Sequence, residues 1–516
     1  MAQKQSKNKG ELKVRRKVFF AIFVLISLLV IAACSPSGSD ETGGDDPSDA
    51  DNEDAEDEVV QELRSIEIVV NNYGRSFPSG LDEENNPYLD FIEEHTNLDI
   101  SVQIPPAEGY MERLNVLMAG NDLPDLIYSP DATWFVNYVN QNALTDLTEI
   151  VEQHGQNLLE LIPEEAWEAV TIDGSIYAIP HILQEQGTEI MYIRQDWLNE
   201  LELEQPETLD EYVDVLHQFK EHYNNVGYIM TDQLGRIAPI LGAFGVQRSQ
   251  WVERDGELVY SSTTPEMKEA LAFLSEMYAD GILDREFPSN NLTVLGEKVS
   301  NDRAGVFSAA WWDTRGPILT NTQNNEEAEW VSIPYPVGPN GDSGTAGSPL
   351  VRGYNAVPVT SDEAEAVVRM LDFIVADGFR EIFLGFEGDV WEITDGVATT
   401  DFEKHNEHLY RQMYTTVEPL DPETTKIRLD SLGLEFNLFD NVTKIGENAI
   451  FSEYNGPPTR ASGLYGGQLK AIEDEVFANI IAGNSSIDAF DDFVERWNRD
   501  GGQEWTDEVN EWYSNR

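Results

Sequence analysis

Seven histidines, one cysteine and 95 Asp and Glu are the stock from which this chain could do chemistry. The histidines (His95, His154, His181, His217, His222, His405, His408) are scattered. His405 and His408 stand beside Glu403 and Glu407, a spacing that could make a metal face. A solvated, charged helix is the simpler reading and the one expected. No Gly-x-x-x-x-Gly-Lys-Ser/Thr loop, Gly-x-Ser-x-Gly elbow or His-Glu-x-x-His helix is present. A glycosidase needs two carboxyl groups at a defined separation, but so many acids make such a pair uninformative. Neither catalysis nor a cofactor is expected.

Cys34 does have a context. Lys4, Lys7, Lys9, Lys13, Arg15, Arg16 and Lys17 precede an apolar run from Val18 to Ala33, which ends Ile31-Ala32-Ala33-Cys34. A basic head, a short apolar run and small residues before a cut site describe a secretory signal peptide. The run is shorter than the ~20 apolar residues a membrane-spanning helix needs. A lone cysteine cannot close an intramolecular disulfide. Its position resembles a bacterial lipobox, where the thiol takes a diacylglyceryl group. Residues 1–33 are therefore expected to be a lipoprotein signal peptide. Residues 34–64, rich in Asp, Glu, Ser and Gly, read as an acidic, disordered tether.

The formal net charge is −62, and without residues 1–33 it is −68, from 26 cations against 94 anions. Such a surface cannot neutralise phosphates, which excludes nucleic acid as a partner. The acids are spread along the whole body, as suits a soluble coat.

Beyond the tether, Ile66–Val70, Leu98–Ile104 and Asp125–Tyr128 read as strands. They alternate with helices over Pro87–His95 and Tyr110–Ala119, so an α/β lobe with a largely parallel sheet is expected. Tyr177–Pro180, Glu189–Ile193 and Gly305–Ser308 add strands. Asp196–Glu202, Leu209–Tyr223, Pro265–Tyr278 and Asp362–Val375 add helices. Thr208 and Glu211 form a capping box, and Ser361 is the expected cap of the last of these helices. From Tyr465 onward the pattern is helical, closing with Ile487–Trp497 and Thr506–Tyr513. Aromatics gather near strand ends: Tyr73, Trp134, Tyr192, Trp251, Trp311, Trp312, Tyr354 and Trp391. Flat rings suit the C–H faces of sugars, and ligands of open α/β sheets sit beyond strand ends. Trp311 and Trp312, adjacent at the end of a strand, cannot both face inward.

The order of motifs resembles that of the extracellular solute-binding lipoproteins of ABC importers, in their long-bodied, carbohydrate-type branch. The resemblance rests on Leu114-Asn-Val-Leu-Met-Ala-Gly-Asn-Asp-Leu-Pro-Asp-Leu-Ile127, Asp173-Gly-Ser-Ile-Tyr-Ala-Ile-Pro180 and Ile193–Leu203 with Pro206–Tyr212. Asp302–Phe307, Phe386–Trp391 and Ile487–Trp497 complete it. It implies a two-lobed α/β clamp of the periplasmic-binding-protein type, class II, with a helix-rich C-terminal end. Lobe one would take residues 65–178 and 354–415, lobe two 179–353 and 416–516, with Tyr177–Pro180 and Arg352–Ala356 as hinges. Some relatives carry a Ca²⁺ loop where this chain has Asn224–Arg236; the alternating Asp/Asn ligands are missing, so no metal is expected. The implied function is to capture an oligosaccharide or other small solute and deliver it to importer permease subunits. The protein would act as a monomer, lipid-anchored at the extracellular face of a bacterial membrane. Expected ligand contacts are Tyr73, Arg75, Trp134, Arg194, Trp311, Trp312 and Tyr354. A ligand sensor for a membrane kinase and a surface glycoside-active enzyme stay open as alternatives.

Overall fold

The computed structural model describes residues 63–120, 123–223 and 225–515. The expected signal peptide, Cys34 and nearly all of the acidic tether lie outside the described residues.

Strand β1 (Arg64–Val69), helix α1 (Pro87–Thr96), strand β2 (Leu98–Gln103), helix α2 (Tyr110–Met118) and strand β3 (Leu126–Ser129) follow in turn. Local chemistry sets their ends. Asn86 accepts a hydrogen bond from the Leu89 amide, and Pro87 takes the first helical position, where no amide partner is needed. Helix α3 (Ala132–Asn140) and strand β4 (Ile179–Ile182) come next. Then follow β5 (Glu189–Arg194), α4 (Leu209–His222), α5 (Pro265–Asp280), β6 (Val306–Ala310) and β7 (Trp330–Ser332). The capping box forms at α4, where Thr208 accepts from the Glu211 amide and Glu211 accepts from the Thr208 amide. Gly281, at φ 72°, ends α5 in the left-handed conformation that glycine adopts without penalty.

The chain returns through β8 (Val351–Ala356) and α6 (Ala364–Val375), then runs through α7 (Phe402–Glu407), α8 (Pro422–Ser431) and α9 (Leu438–Glu447). It closes with α10 (Arg460–Ile481), α11 (Ala489–Trp497) and α12 (Gln503–Ser514). Ser361 does not cap α6: its hydroxyl accepts from the Glu363 amide in the turn before the helix, and Glu363 occupies the cap position.

Two sheets organise the two lobes. The first has order β2-β1-β3-β8-β4. It is parallel only through β2, β1 and β3, with Ile66 opposite Ile100 and Ile68 opposite Leu126. β8 runs antiparallel to both β3 and β4. The second sheet, β6-β5-β7, is antiparallel throughout. The expected largely parallel character therefore holds for three strands alone, because strands that enter from the other half of the chain arrive in the opposite sense. One apolar core draws on residues between Ile66 and Ile182 and again between Tyr354 and Val417. The other draws on Met191 to Tyr335 and Leu469 to Val509. Each core is thus built from two separated stretches of chain.

Candidate functional site

The turn after β1 is the first place where the backbone is forced. Tyr73 has φ 55° and Gly74 φ 73°. The Asn71 side chain accepts from the Tyr73 amide, and Asn72 accepts from the Gly74 amide. The Asn72 amide side chain donates to the Arg75 carbonyl at 2.9 Å. A tyrosine held in the left-handed region, where strain is tolerated only if the surroundings over-determine it, is a mark of a positioned side chain. Both Tyr73 (45% exposed) and Arg75 project from this braced turn.

Behind it lies a polar network that ties the crossing segments together. The Tyr73 and Tyr128 hydroxyls are 3.4 Å apart, and the Tyr128 hydroxyl is 3.0 Å from His181 Nδ1. His181 Nε2 is 3.3 Å from Glu418 Oε1, and Arg352 Nη2 donates to the same oxygen at 3.4 Å. Arg352 Nε also lies 3.1 Å from His181 Nε2. Both the Arg352 Nε–H donor and the Glu418 carboxylate thus address His181 Nε2, and the tautomer sets which of them it bonds and whether Nδ1 accepts from Tyr128 or donates to it. Burial pushes the His181 pKa down, so the ring is neutral at pH 7. Burial also opposes the charge on Glu418, but its contact with His181 and the charge of Arg352 outweigh it and hold that carboxyl below its usual range. The residues come from β3, β4, β8 and the segment before α8. β8 has a bulge between Val351 and Gly353. Gly353 is required there, since a Cβ atom would stand 2.5 Å from the Tyr128 ring.

The loop after β6 supplies the second wall. Trp312 is 46% exposed, whereas Trp311 is half-buried against Leu429, Leu432 and Leu438 and packs edge-on to Trp312 at 5.0 Å. Asn441 of α9 donates to the Trp311 carbonyl and accepts from the Tyr192 hydroxyl, which fixes the loop. Arg315 lies over Phe402 at 4.9 Å and over Phe436 at 5.7 Å. His405, one turn along α7 from Phe402, is half-buried on a helix that has no fully buried residue. Burial, with the charges of Arg411, Arg315, Arg428 and Arg75, pushes its pKa down to about 4. His408 is buried too, 2.9 Å from the Tyr88 hydroxyl.

Of the expected contacts, Tyr73, Arg75 and Trp312 are exposed on the loops after β1 and β6, and Trp311 is half-buried beside Trp312. The other three are elsewhere engaged. Arg194 is 1% exposed; it grips Asp196 with Nε at 2.7 Å and Nη2 at 2.5 Å, bonds Asp302 with Nη1, and stacks on Trp197 at 4.6 Å. It is an internal bolt of the second lobe. Tyr354 is stacked on Phe135 at 4.6 Å inside the first core, where its place on a central strand of the sheet directs it. Trp134 is buried in the same core beside Tyr138. Tyr192, Trp251 and Trp391 are buried as well. Asp313, beside the tryptophans, is spent on Arg236 and the Ala310 amide. Sequence reasoning did not find His181, Glu418 or Arg428. Nothing distinguishes one carboxylate among 95, but the scarcity of cations was a usable signal for the arginines.

Among the described residues, no group of three or more His, Cys, Asp or Glu is placed to hold a metal ion, and no helix is long and apolar enough to cross a membrane.

Comparison with known proteins agrees with this geometry. Lipoprotein LipO of Bacillus subtilis (strain 168) is 26% identical over 466 residues, covering 83% of this chain and 89% of that protein. The polygalacturonan/rhamnogalacturonan-binding protein YtcQ of the same organism is 24% identical over 453 residues, covering 81% and 86%. The crystal structure of the alginate-binding protein AlgQ2 without calcium ion superposes with a TM-score of 0.67 at 16% identity, over 88% of this chain and 98% of that one, a likeness of fold. The family described as bacterial extracellular solute-binding protein matches residues 71–379, a span that takes in the braced turn, the tryptophan loop and every strand of both sheets but β1. With two lobes and a family match over more than half its length, this chain belongs to the bacterial extracellular solute-binding proteins.

Proposed function

We propose that this protein captures an oligosaccharide between its two lobes and hands it to the permease subunits of an ABC importer, as a monomer anchored by lipid on Cys34. The observation that carries this reading is the pair of exposed rings, Tyr73 and Trp312, on anchored loops that follow strands of the two different sheets. Facing aromatic surfaces can hold the two faces of a sugar ring at little entropic cost. Lobe one is assigned residues 65–178 and 354–415, lobe two 179–353 and 416–516. The Tyr128–His181–Arg352–Glu418 network then lies across the joining segments, where hinge bending must occur. The names of YtcQ, a polygalacturonan/rhamnogalacturonan-binding protein, and of AlgQ2, an alginate-binding protein, support a carbohydrate.

The test is a thermal-shift screen of oligosaccharides, since a ligand of the folded form alone raises its stability by mass action. Trp312→Ala is expected to weaken binding of a confirmed ligand by roughly 1–3 kcal/mol, the worth of one buried large side chain. Its melting temperature without ligand should not change, because the ring packs against little. Trp311 is the poorer target, being part of the packing over α8 and α9. Equal affinity in parent and Trp312→Ala, measured by calorimetry, would remove Trp312 from the site. For the anchor, Cys34→Ala should abolish incorporation of labelled fatty acid; label retained in that variant would refute it. A diacylglyceryl unit supplies two chains, enough for stable attachment.

A further inference from the structure

The two apolar cores show where the chain passes from one to the other. Residues up to Ile182 pack in the first core, and those from Met191 to Tyr335 in the second. The chain is back in the first from Tyr354 to Val417 and in the second again from Leu469. It therefore crosses three times, within 183–190, 336–353 and 418–468. Backbone pairing between the crossings is slight. Thr345–Ala346 pairs with Ala449–Ile450, and Gly187 makes a single bridge to Gly347. A ladder of two residues fixes little by itself.

One carboxylate joins all three. Glu418, 5% exposed, opens the third crossing. Its Oε1 accepts from Arg352, near the end of the second crossing, at 3.4 Å. The same oxygen lies 3.3 Å from His181 Nε2, just before the first crossing. Its Oε2 accepts from Gln184 Nε2, inside the first crossing, at 3.4 Å. The two oxygens face different ways. From Oε1 the contacts run through His181 and the Tyr128 hydroxyl to Tyr73 on the turn after β1. From Oε2 they run through Gln184, which accepts from Thr425 of α8, while Glu185 beside it pairs with Arg428 of the same helix. Leu429 of α8 belongs to the apolar cluster against which Trp311 packs. A buried carboxylate is strongly destabilising once a partner is withdrawn. Any rotation that parts one crossing from the other two strands this charge.

We infer that Glu418 is a positioning residue that locks the three crossings together, fixing the angle between the lobes and with it the spacing of Tyr73 and Trp312. The inference rests on the reading of this protein as a clamp with its ligand between those rings, and it concerns the clamp before any ligand enters. With the crossings tied, a ligand meets a preset gap, and less freedom is lost on binding than between two swinging lobes.

Double electron–electron resonance tests it on the chain from residue 34 onward, carrying Cys34→Ala and nitroxides at Glu112→Cys and Glu276→Cys. Both positions are exposed, on α2 and α5, helices that pack in the first and second cores. Without ligand, the parent should give one narrow distance peak. Glu418→Gln, which keeps the shape and removes the charge, should at least double its width. Gln184→Ala, which cuts only the Oε2 side and changes no charge, should do the same, and it carries the test if Glu418→Gln does not fold. Glu473→Gln alters a carboxylate that is 0% exposed but lies within the second core, and should leave the peak as in the parent. Parent-like widths in the Glu418 and Gln184 variants, a parent peak already as broad as theirs, or equal broadening by Glu473→Gln overturns the lock. The measurement uses no ligand, so failure of every saccharide in the thermal-shift screen would strike the carbohydrate reading and leave this result as it stands.

Discussion

Arg248→Met is expected to lower the unfolding free energy by about 3–5 kcal/mol, the effect of removing one partner from a buried ion pair. Glu473 on α10 is 0% exposed. Arg248 Nε donates to its Oε1 at 2.9 Å, and the Tyr260 hydroxyl donates to Oε2 at 3.1 Å. The same guanidinium pairs with Asp474, donates to the Gln233 carbonyl at 3.3 Å and lies over Phe477 at 5.8 Å. One side chain thus ties the loop before the Trp251 strand to a helix more than two hundred residues later. Without it, Glu473 keeps a single hydroxyl donor in an apolar surround, and a buried carboxylate so poorly compensated destabilises the fold. The Arg248→Met/Glu473→Leu double variant should recover most of the loss, since an apolar pair of similar volume leaves no stranded charge. Urea titration checks both. A single variant as stable as its parent, or a double variant worse than the single, would show that the pair is not what holds α10.

Acid should destabilise this protein well before its ordinary carboxylates protonate, and His405 should account for much of that. An unfolded histidine titrates near pH 6.5; in the folded chain, burial and the charges of Arg411, Arg315, Arg428 and Arg75 hold His405 down to about 4. Above about pH 6.5 the ring is neutral in both states and contributes nothing. As the pH falls from there towards 4, the unfolded chain takes up the proton and the folded chain does not, so stability falls. Each pH unit in that window is worth up to about 1.4 kcal/mol, or about 3 kcal/mol in all. His181, lowered by burial, acts in the same direction. Glu189 and Asp313, raised by burial, act in the opposite one, because in the folded state they protonate first. The difference between parent and His405→Gln isolates the term: the variant should show a shallower decline of urea-unfolding free energy between pH 6.5 and 4. Parallel pH profiles would mean that neither burial nor the arginines hold this histidine's pKa down.

What the residues alone determined about this protein is what short-range chemistry governs. Apolar alternation placed β1, β2 and β3 to within a few residues, the Thr208–Glu211 box opened α4, and Gly281 closed α5, since a cap or a strand face depends on neighbours within a few positions. The motif order from Leu114 to Trp497 was enough for the family, since it records many local requirements at once. Ser361 marks the limit of that scale, as its hydroxyl serves the turn ahead of α6 instead of the helix. Tertiary structure alone decided which side chains are free. Arg194, Tyr354 and Trp134 have the residue types of a sugar site, but Asp302 and Phe135, distant in sequence, and the first apolar core claim them. His405 stands on the charged helix expected, and only the fold brings burial and distant arginine charge to bear on its ring. The sense of β8, antiparallel to β3, likewise follows from a return through the second lobe that no local pattern encodes. Charge and aromatic character are written residue by residue; whether a charge is spent inside or offered to a ligand depends on what the fold places within a few ångströms of it.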